Sequence, residues 1–363
     1  MSQSRYLLIL VGALCLILIG CTPQAAPPTV TPVPPTDEPT EAVAAAEEPL
    51  RVLRLDSYHI EFAWSYEIQQ GVLQALADNG YDTETDAVVF DEFFMDTKRN
   101  TGDDYFEQIA EETMEYIRET QPDVVIANDN NAARLVAAPM RDEGVNFVLV
   151  GYNGDPAALE LTDSAYIAGV LERPHMEEMS AWIEQVFGEE TRVAMLADGS
   201  ETSEAMLVED TGLVDTVNET SLEVVDVSLI NDYAEWQEHV KAADEMTDIL
   251  FLGPYATLRD ENDDAVEAAD ALEWTLENSP VPVMGFWEEG VHLGMLGGSV
   301  ISGYVQGYDA GVKAAEILGG AEAGDIGFSV PPRGKLMISR SAMERWDIDI
   351  PLDLLEVSEI IEP

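Results

Sequence analysis

The chain has 363 residues, 71 of them acidic and only 17 Lys or Arg, so its formal net charge is −54. A chain this acidic repels nucleic acid and anionic lipid headgroups, because both are bound through Lys and Arg at phosphates. The acidity is spread along the whole sequence, which favours adaptation to high salt over an acidic surface that captures a cation.

The N-terminus has the features of a lipoprotein signal. Residues 6–20 are almost continuously apolar and follow Arg5, but about 15 residues are too few to span a bilayer, which takes roughly 20. Such a run is typical of a secretory signal, and Leu-Ile-Gly-Cys at 18–21 reads as a lipobox. We predict a lipoprotein signal peptide over 1–20 and a lipid on Cys21, which would anchor an extracytoplasmic protein to the membrane. An ordinary signal with a chance Cys, or a simple anchor, is the alternative.

Two further predictions concern the residues after the signal. Cys15 and Cys21 are the only cysteines, so a mature chain that starts at Cys21 has no disulfide, no thiol nucleophile and no Cys-ligated zinc. Residues 21–50 are rich in Pro, Thr and Glu, and we predict that they form a disordered tether, because they offer too little apolar area to fold.

Strand and helix patterns alternate from Arg51 onward. In the first half, strands are predicted at 51–57, 87–94, 123–128 and 146–153, and helices at 64–79 and 103–120. In the second half, strands are predicted at 192–198, 221–228, 248–255 and 281–287, with helices near 174–187, 201–217, 231–245 and 262–277. Such alternation is typical of parallel sheets covered by helices, so we predict an α/β protein with two doubly wound, Rossmann-like lobes.

Glycines mark two features near the end of this pattern. Gly307 and Gly311, four residues apart, predict that a helix starting near Gln306 approaches its sheet closely. Four other glycines, at 294, 297, 298 and 303, match no phosphate-binding motif and predict a mobile loop before a hinge.

Polar and aromatic residues follow most of the predicted strands, at the edge where ligands bind in open α/β sheets. The candidates of this kind are Ser57, Tyr58, His59, Asp129, Asn130, Gly151, Asn153, Asp198, Tyr255 and Trp287. The mixture suits a small amphipathic ligand held between aromatic walls by a few hydrogen bonds. Ordinary turn chemistry is the alternative, because Asn, Asp and Gly also end strands for conformational reasons.

Three of the candidate residues have two roles open to them. His59 is the one acid–base candidate, or else a hydrogen-bonding loop residue. Trp64 stacks on a ligand ring or anchors the start of its helix in the core. Asp129 binds an ammonium group of the ligand, or it is the N-cap residue of the helix that follows.

Motifs for other chemistry are absent from the sequence. It has no H-E-x-x-H, no G-x-S-x-G and no phosphate-binding glycine motif, and its four histidines are scattered. We therefore predict no catalytic residue, no cofactor and no metal site.

Six segments together resemble the ABC-type substrate-binding lipoproteins of the type 1 periplasmic-binding-protein fold. They are SYHIEFAWSYEIQQGV (57–72), FMDTKRN (94–100), DNNA (129–132), VGYN (150–153), AGVLE (168–172) and YVQGYDAGVKAAEIL (304–318). The resemblance covers roughly 51–345 and is closest to the branch that includes tryptophan- and tyrosine-binding components and sensor input domains. The chain departs from the family pattern at Asn128-Asp129, where two acidic residues are common, and at Tyr152, where a more apolar residue is common.

The resemblance implies two lobes that close on a ligand about a hinge of three crossings, near 167–170, 301–304 and 326–332. Lobe I would comprise 51–167 and 304–326, and lobe II 168–303 and 327–355. By position in the family pattern, it implies ligand-binding roles for Ser57, Tyr58, His59, Trp64, Asp129, Asn130, Gly151, Asn153 and Glu172.

The function predicted from the sequence is that of a non-enzymatic, lipid-anchored solute receptor. It would capture a small ligand, an aromatic or other amino acid, and deliver it to an ABC permease in the membrane. The first alternative is a sensor that reports the ligand to a membrane kinase or chemoreceptor without transport. The second is an extracellular enzyme that acts through His59 and nearby carboxylates.

Overall fold

The computed structural model describes residues 49–59, 61–85, 88–100, 102–204, 206–207 and 213–362, which belong to one compact unit, Glu48–Pro363. The predicted signal peptide 1–20, Cys21 and nearly all of the predicted tether 21–50 lie outside the described residues. The first strand begins at Leu50, one residue before the predicted start of the folded pattern. None of the described helices is both long and apolar enough to cross a membrane.

The first sheet has six parallel strands in the order β11-β5-β4-β3-β1-β2. Its strands are β1 (Leu50–Asp56), β2 (Val88–Phe94), β3 (Val124–Asn128), β4 (Phe147–Tyr152), β5 (Ile167–Leu171) and β11 (Phe328–Ser329). Every residue of β3 and β4 is buried. This explains their continuous apolar sequences, because helices cover both faces of a parallel sheet.

Helices pack on both faces of the first sheet. They are α1 (Ala63–Asp78), α2 (Asp103–Thr120), α3 (Asp129–Ala132), α4 (Ala138–Met140), α11 (Gly303–Leu318) and α12 (Ala323–Ile326), with a π-helical turn at Ala133–Ala137 and a 3₁₀ turn at Pro156–Leu159. On one face, Ile68 of α1 and Ala314 of α11 share a core with Val52. On the other, Ile109 of α2 packs in a separate core with Leu53.

The close approach predicted for Gly307 and Gly311 is made to α1 and not to the sheet. A β-carbon at Gly307 would lie 2.0 Å from the carbonyl oxygen of Ile68, and one at Gly311 would lie 2.8 Å from that of Val72. A β-carbon at Gly71 of α1 would lie 2.1 Å from the carbonyl oxygen of Tyr304. The two helices therefore cross backbone against backbone, which only glycine permits.

The second sheet has four parallel strands in the order β7-β6-β8-β9. Its strands are β6 (Arg192–Ala197), β7 (Glu223–Leu229), β8 (Ile249–Leu252) and β9 (Val283–Gly285). The helices near it are α5 (Met176–Phe187), α6 (Glu201–Glu204), α7 (Leu213–Asn218), α8 (Tyr233–Lys241) and α9 (Ala268–Asn278), with a 3₁₀ turn at Ala243–Glu245. Trp182 and Trp236 are fully buried in two different cores that include residues of this sheet.

A third sheet was not predicted. It consists of β10 (Gly297–Val300), β12 (Lys335–Ser339) and β13 (Glu359–Ile361), with β10 antiparallel to β12. The helices α10 (Glu288–His292), α13 (Arg340–Trp346) and α14 (Leu352–Val357) flank these strands in the chain. The prediction of a mobile loop was wrong for Gly297 and Gly298, which pair with Ile338 and Met337 in this sheet.

The chain passes between the first sheet and the rest after Leu171, before Gly303 and after Ser329. The boundaries predicted at 167 and 326 therefore fall a few residues early. Residues 168–171 belong to β5, and Phe328 pairs with Gly169 at the edge of the first sheet. Gly169 makes this pairing possible, because a β-carbon there would lie 2.7 Å from the Phe328 ring.

Candidate ligand-binding site

A buried ion pair fixes the carboxyl end of β1. The Arg54 guanidinium forms an ion pair with the Asp56 carboxylate, and Asp56 is fully buried. The Asp56 carboxylate also accepts hydrogen bonds from the backbone N–H of Tyr58 (2.8 Å), the hydroxyl of Ser65 (2.8 Å) and Nδ2 of Asn128 (2.9 Å). Asp56 therefore determines which way the carboxamide of Asn128 faces.

The carboxamide oxygen of Asn128 lies beside Gly151. Asn128 is fully buried, and no group among the described residues donates a hydrogen bond to its Oδ1. A β-carbon at Gly151 would lie 3.3 Å from this oxygen, 3.3 Å from Nε1 of Trp64 and 3.5 Å from Oε2 of Glu172. Gly151 has φ +62°, so both its backbone and its missing side chain suit this place. Polar atoms of Asn128, Trp64 and Glu172 converge there.

Asp129 follows Asn128 in a left-handed conformation, with φ +73°. The Tyr58 hydroxyl and the Asn130 backbone N–H (2.7 Å) donate to its carboxylate. Burial raises the pKa of Asp129, although these hydrogen bonds and the Lys98 charge oppose the shift. The helix-cap alternative for Asp129 is wrong, because α3 begins at Asp129 itself and its N-cap residue is Asn128.

Glu172 and Trp287 join the first sheet to the second. The indole Nε1 of Trp287, just after β9, donates to Oε1 of Glu172, just after β5, at 2.6 Å. Glu172 is only 5% exposed. Burial and the negative charge of Asp129 raise its pKa to about 7, although hydrogen bonds from Trp287 and Asn153 oppose the shift.

Aromatic rings surround these acidic groups. Trp64 is the second residue of α1 and packs against a core of the first sheet as well as a core of the second. Burial and the charge of Asp129 raise the pKa of the Tyr58 hydroxyl well above its usual value. Lys98 places its ammonium group over the rings of Tyr58 and Phe62, at 4.3 and 4.4 Å from their centroids.

We call these residues the cleft cluster, which comprises Tyr58, Trp64, Asn128, Asp129, Glu172 and Trp287. Two side chains of the cluster, Asp129 and Glu172, are buried carboxyl groups whose pKa values are raised. The guanidinium of Arg173 donates to the carbonyl oxygens of Tyr152 and Gly154, and its charge opposes the rise in the pKa of Glu172. The cluster therefore offers buried acceptors and aromatic surface, which suits a cationic or hydrogen-bond-donating ligand with an apolar body.

Four other predicted residues support this cluster from within the protein. Asn130 Oδ1 accepts from the backbone N–H of Asn153 at 3.0 Å, which ties two loops together. The Ser57 hydroxyl donates to the Asn128 carbonyl (2.6 Å) and accepts from the Ala132 N–H (2.8 Å). The side chain of Asn153 donates to Glu172. With Gly151, these residues shape the ends of β1, β3 and β4.

Three predicted residues have their described contacts elsewhere. His59 Nδ1 lies 3.6 Å from the carboxylate of Asp96. The Asp198 carboxylate accepts from the hydroxyls of Ser200 (2.6 Å) and Ser203 (2.7 Å) and from a backbone N–H, so it orders the loop after β6. Burial raises the pKa of the Tyr255 hydroxyl to about 12, with a smaller contribution from the negative charge of Glu289.

Away from the cleft cluster, the described residues line surface pockets but hold no group of metal ligands. No three His, Cys, Asp or Glu side chains of the described residues are grouped as metal ligands. A surface pocket of about 340 Å³ lies beside α11. The buried ammonium group of Lys313 lines this pocket and already donates to the carbonyl oxygen of Gly327, at 3.2 Å. We therefore place the candidate site at the cleft cluster.

Solved structures of similar fold come from several bacteria. A domain from Streptococcus pneumoniae in complex with L-Trp is 18% identical, with a TM-score of 0.62, and the match covers 86% of this chain and 99% of that one. The ligand-free, open structure of a substrate-binding protein with adhesive properties from Clostridium difficile is 14% identical, with a TM-score of 0.65 and the same coverage. The isoleucine complex of the branched-chain amino acid transporter protein LivJ from Streptococcus pneumoniae is 14% identical, with a TM-score of 0.50, and the match covers 77% of this chain and 86% of that one.

These similarities confirm the predicted α/β fold of the type 1 periplasmic-binding proteins. No curated protein matches the chain. The family model described as ABC transporter substrate binding protein matches residues 58–360. The chain therefore belongs to the family of ABC transporter substrate-binding proteins.

Proposed function

We propose that this substrate-binding protein captures a small amphipathic ligand, an aromatic or other amino acid, at the cleft cluster. The observation that carries the proposal is the hydrogen bond between Glu172 and Trp287, which links the segment after β5 to the segment after β9 beside buried acceptors. Asp129 and Glu172 suit the ammonium group of such a ligand, and the rings of Trp64 and Trp287 suit its side chain. The amino acids bound by two of the similar structures agree with this class.

Capture would proceed by hinge closure. The crossings after Leu171, before Gly303 and after Ser329 are short connections that absorb the change in backbone angles. Opening about them separates Trp287 from Glu172 and exposes the cluster to solvent. The closed form would then present the ligand to an ABC permease.

The location proposed for this protein is the outer face of the cytoplasmic membrane, with a lipid on Cys21. The apolar run that ends at the lipobox supports this location. Mass spectrometry of the purified full-length protein should find a lipid-modified N-terminal Cys21, and the Cys21→Ser variant should lack the modification. An unmodified Cys21 within an uncleaved chain would contradict the anchor.

Calorimetric titration of the full-length protein in detergent tests ligand capture. The panel contains amino acids, nucleosides, sugars and polyamines, and we expect one chemical class to bind. Asp129→Asn keeps the side-chain shape but removes the charge, and it should weaken binding at least tenfold. Asp270→Asn, an exposed change on α9, should leave the affinity unchanged. The absence of binding across the panel, from a folded sample, would contradict the proposal.

A further inference from the structure

We propose that Asn128 is a ligand-binding residue, and that its Oδ1 and Oε2 of Glu172 form a subsite for a primary ammonium group. This inference rests on the proposed function, because it assigns atoms and a charge class within the same cleft. Asn128 is not among the residues that the sequence predicted to bind ligand.

The ion pair at the end of β1 sets the orientation of Asn128. The Asp56 carboxylate is ion-paired with the Arg54 guanidinium, so its oxygens act as hydrogen-bond acceptors. The hydrogen bond of 2.9 Å to Asp56 is therefore made by the amide nitrogen of Asn128. The carboxamide oxygen consequently faces away from Asp56, towards Gly151 and Glu172. Asp56 is thus a positioning residue for an acceptor in the cleft.

An unpaired acceptor at this place calls for a donor. Buried polar groups are nearly always paired, and none of the described groups pairs with Asn128 Oδ1. A second acceptor, Oε2 of Glu172, lies within 3.5 Å of the same β-carbon position at Gly151. Trp287 donates to the other oxygen of Glu172, and the Asn153 side chain also donates to this carboxylate. An ammonium group has three N–H donors, enough for both acceptors.

The negative charges around the proposed subsite favour a cation over a neutral hydrogen-bond donor there. Asp129 and Glu172 are both buried, and burial raises the pKa of both even though the charge of Lys98 acts on Asp129 and that of Arg173 acts on Glu172. A water molecule also donates two hydrogen bonds, but it brings no charge to offset the two carboxylates. The indole N–H of Trp64 is the one donor among the three converging atoms, so it suits an acceptor atom next to the ammonium group.

Three probes that share one ring system test the charge class. Tryptamine carries an ammonium group, tryptophan carries an ammonium and a carboxylate group, and indole-3-propionic acid carries only the carboxylate. Full-length protein in detergent should bind the first two at least tenfold more tightly than the third. Equal or tighter binding of indole-3-propionic acid overturns the subsite but leaves ligand capture intact. Failure to bind any of the three overturns both the subsite and the aromatic-ligand proposal.

Variants at the subsite test the role of Asn128. Asn128→Ala should weaken tryptamine binding at least tenfold and reduce the preference for tryptamine over indole-3-propionic acid. Asn131→Ala is the matched control, because the Asn131 side chain bonds to Thr97 and Arg134, and its affinity should stay within twofold of the wild type. Wild-type affinity in a folded Asn128→Ala protein overturns the subsite.

A second variant, Gly151→Ala, tests the subsite even if the Asn128→Ala protein does not fold. Gly151→Ala places a methyl group 3.3 Å from Asn128 Oδ1 and leaves the bonds of Asp56 in place. It is strained at φ +62°, so its melting temperature is measured in parallel. A folded Gly151→Ala protein should also lose tryptamine binding at least tenfold, and retained affinity in that protein counts against the subsite.

Discussion

The carboxyl groups of Glu67 and Glu288 are hydrogen-bonded to each other, so a single proton is shared between α1 and α10. Burial and then the contact with Glu288 raise the pKa of Glu67 to about 8. Burial opposes ionisation of Glu288, but hydrogen bonds from Glu67 and Lys335 outweigh it and lower the pKa of Glu288. Lys335 Nζ and the Gly303 N–H each donate to Glu288 at 2.9 Å. The proton therefore stabilises a contact next to the crossing before Gly303.

This shared proton predicts that stability falls with rising pH. A carboxyl group with a higher pKa in the folded state binds its proton more tightly when folded. The free energy of unfolding should therefore fall from about pH 4.5 to about pH 8 and level off above that range. In the Glu67→Gln variant the amide donates to Glu288 at every pH, so most of the fall between pH 7 and pH 8 should disappear. Only the smaller part due to Glu172, whose pKa is raised to about 7, should remain. Urea unfolding in this interval measures the slope.

The control for this experiment is Glu273→Gln, which removes a charge at an exposed position of α9. It should keep the wild-type slope between pH 7 and pH 8. The same slope in Glu67→Gln and wild type would show that other carboxylates cause the pH dependence.

Much of the fold was predictable because buried parallel strands have a plain sequence pattern. Strands β3 and β4 were predicted to within one residue at each end, since continuous apolar runs have few other interpretations. β10 was missed because Gly297 and Gly298 have low strand propensity and positive φ angles, which only pairing with β12 stabilises. When the partner of a strand lies far away in the sequence, the residues of the strand itself carry no pattern that predicts the pairing.

The candidate site was predictable residue by residue but not as an arrangement. Glu172 and Trp287 were both predicted, yet they are 115 residues apart and nothing in the sequence pairs them. Asn128 stands at a predicted strand end but was assigned no ligand-binding role, because its orientation depends on Asp56. A signal for Asp56 was present, because Arg54 and Asp56 are two residues apart in an apolar strand and therefore share one face of β1. Opposite charges in that arrangement indicate an internal ion pair.

Glu172→Gln should separate stability from ligand binding. Burial and the charge of Asp129 raise the pKa of Glu172 to about 7, so its ionisation above that pH costs stability. The variant should be more stable than the wild type by about 3 kcal/mol at pH 8, and this gain should shrink at pH 5, where Glu172 is protonated in the folded state. Tryptamine binding should fall at least tenfold. Lower stability of the variant at pH 8 would show that an ionised Glu172 is required for the fold.

The crossing of α1 and α11 predicts a severe effect for Gly307→Ala. The new methyl group would lie 2.0 Å from the carbonyl oxygen of Ile68, so the helices must separate. We expect the free energy of unfolding to fall by about 3 kcal/mol, in the upper range for overpacking. The matched control is Gly319→Ala, at the end of the same helix, where φ is −76° and the nearest atom would be 3.3 Å away. Equal losses in both variants would contradict the proposed crossing.

The net charge of −54 predicts that the protein needs salt for stability. Repulsion between carboxylates acts over about 10 Å at 0.1 M salt but over about 3 Å at 1 M, so screening favours the folded chain. The melting temperature should rise by several degrees between 0.1 M and 2 M KCl at pH 8. At pH 4.5 many carboxylates are protonated, and the rise should be much smaller. A rise of equal size at both pH values would attribute the effect to stronger apolar burial in salt and not to charge screening.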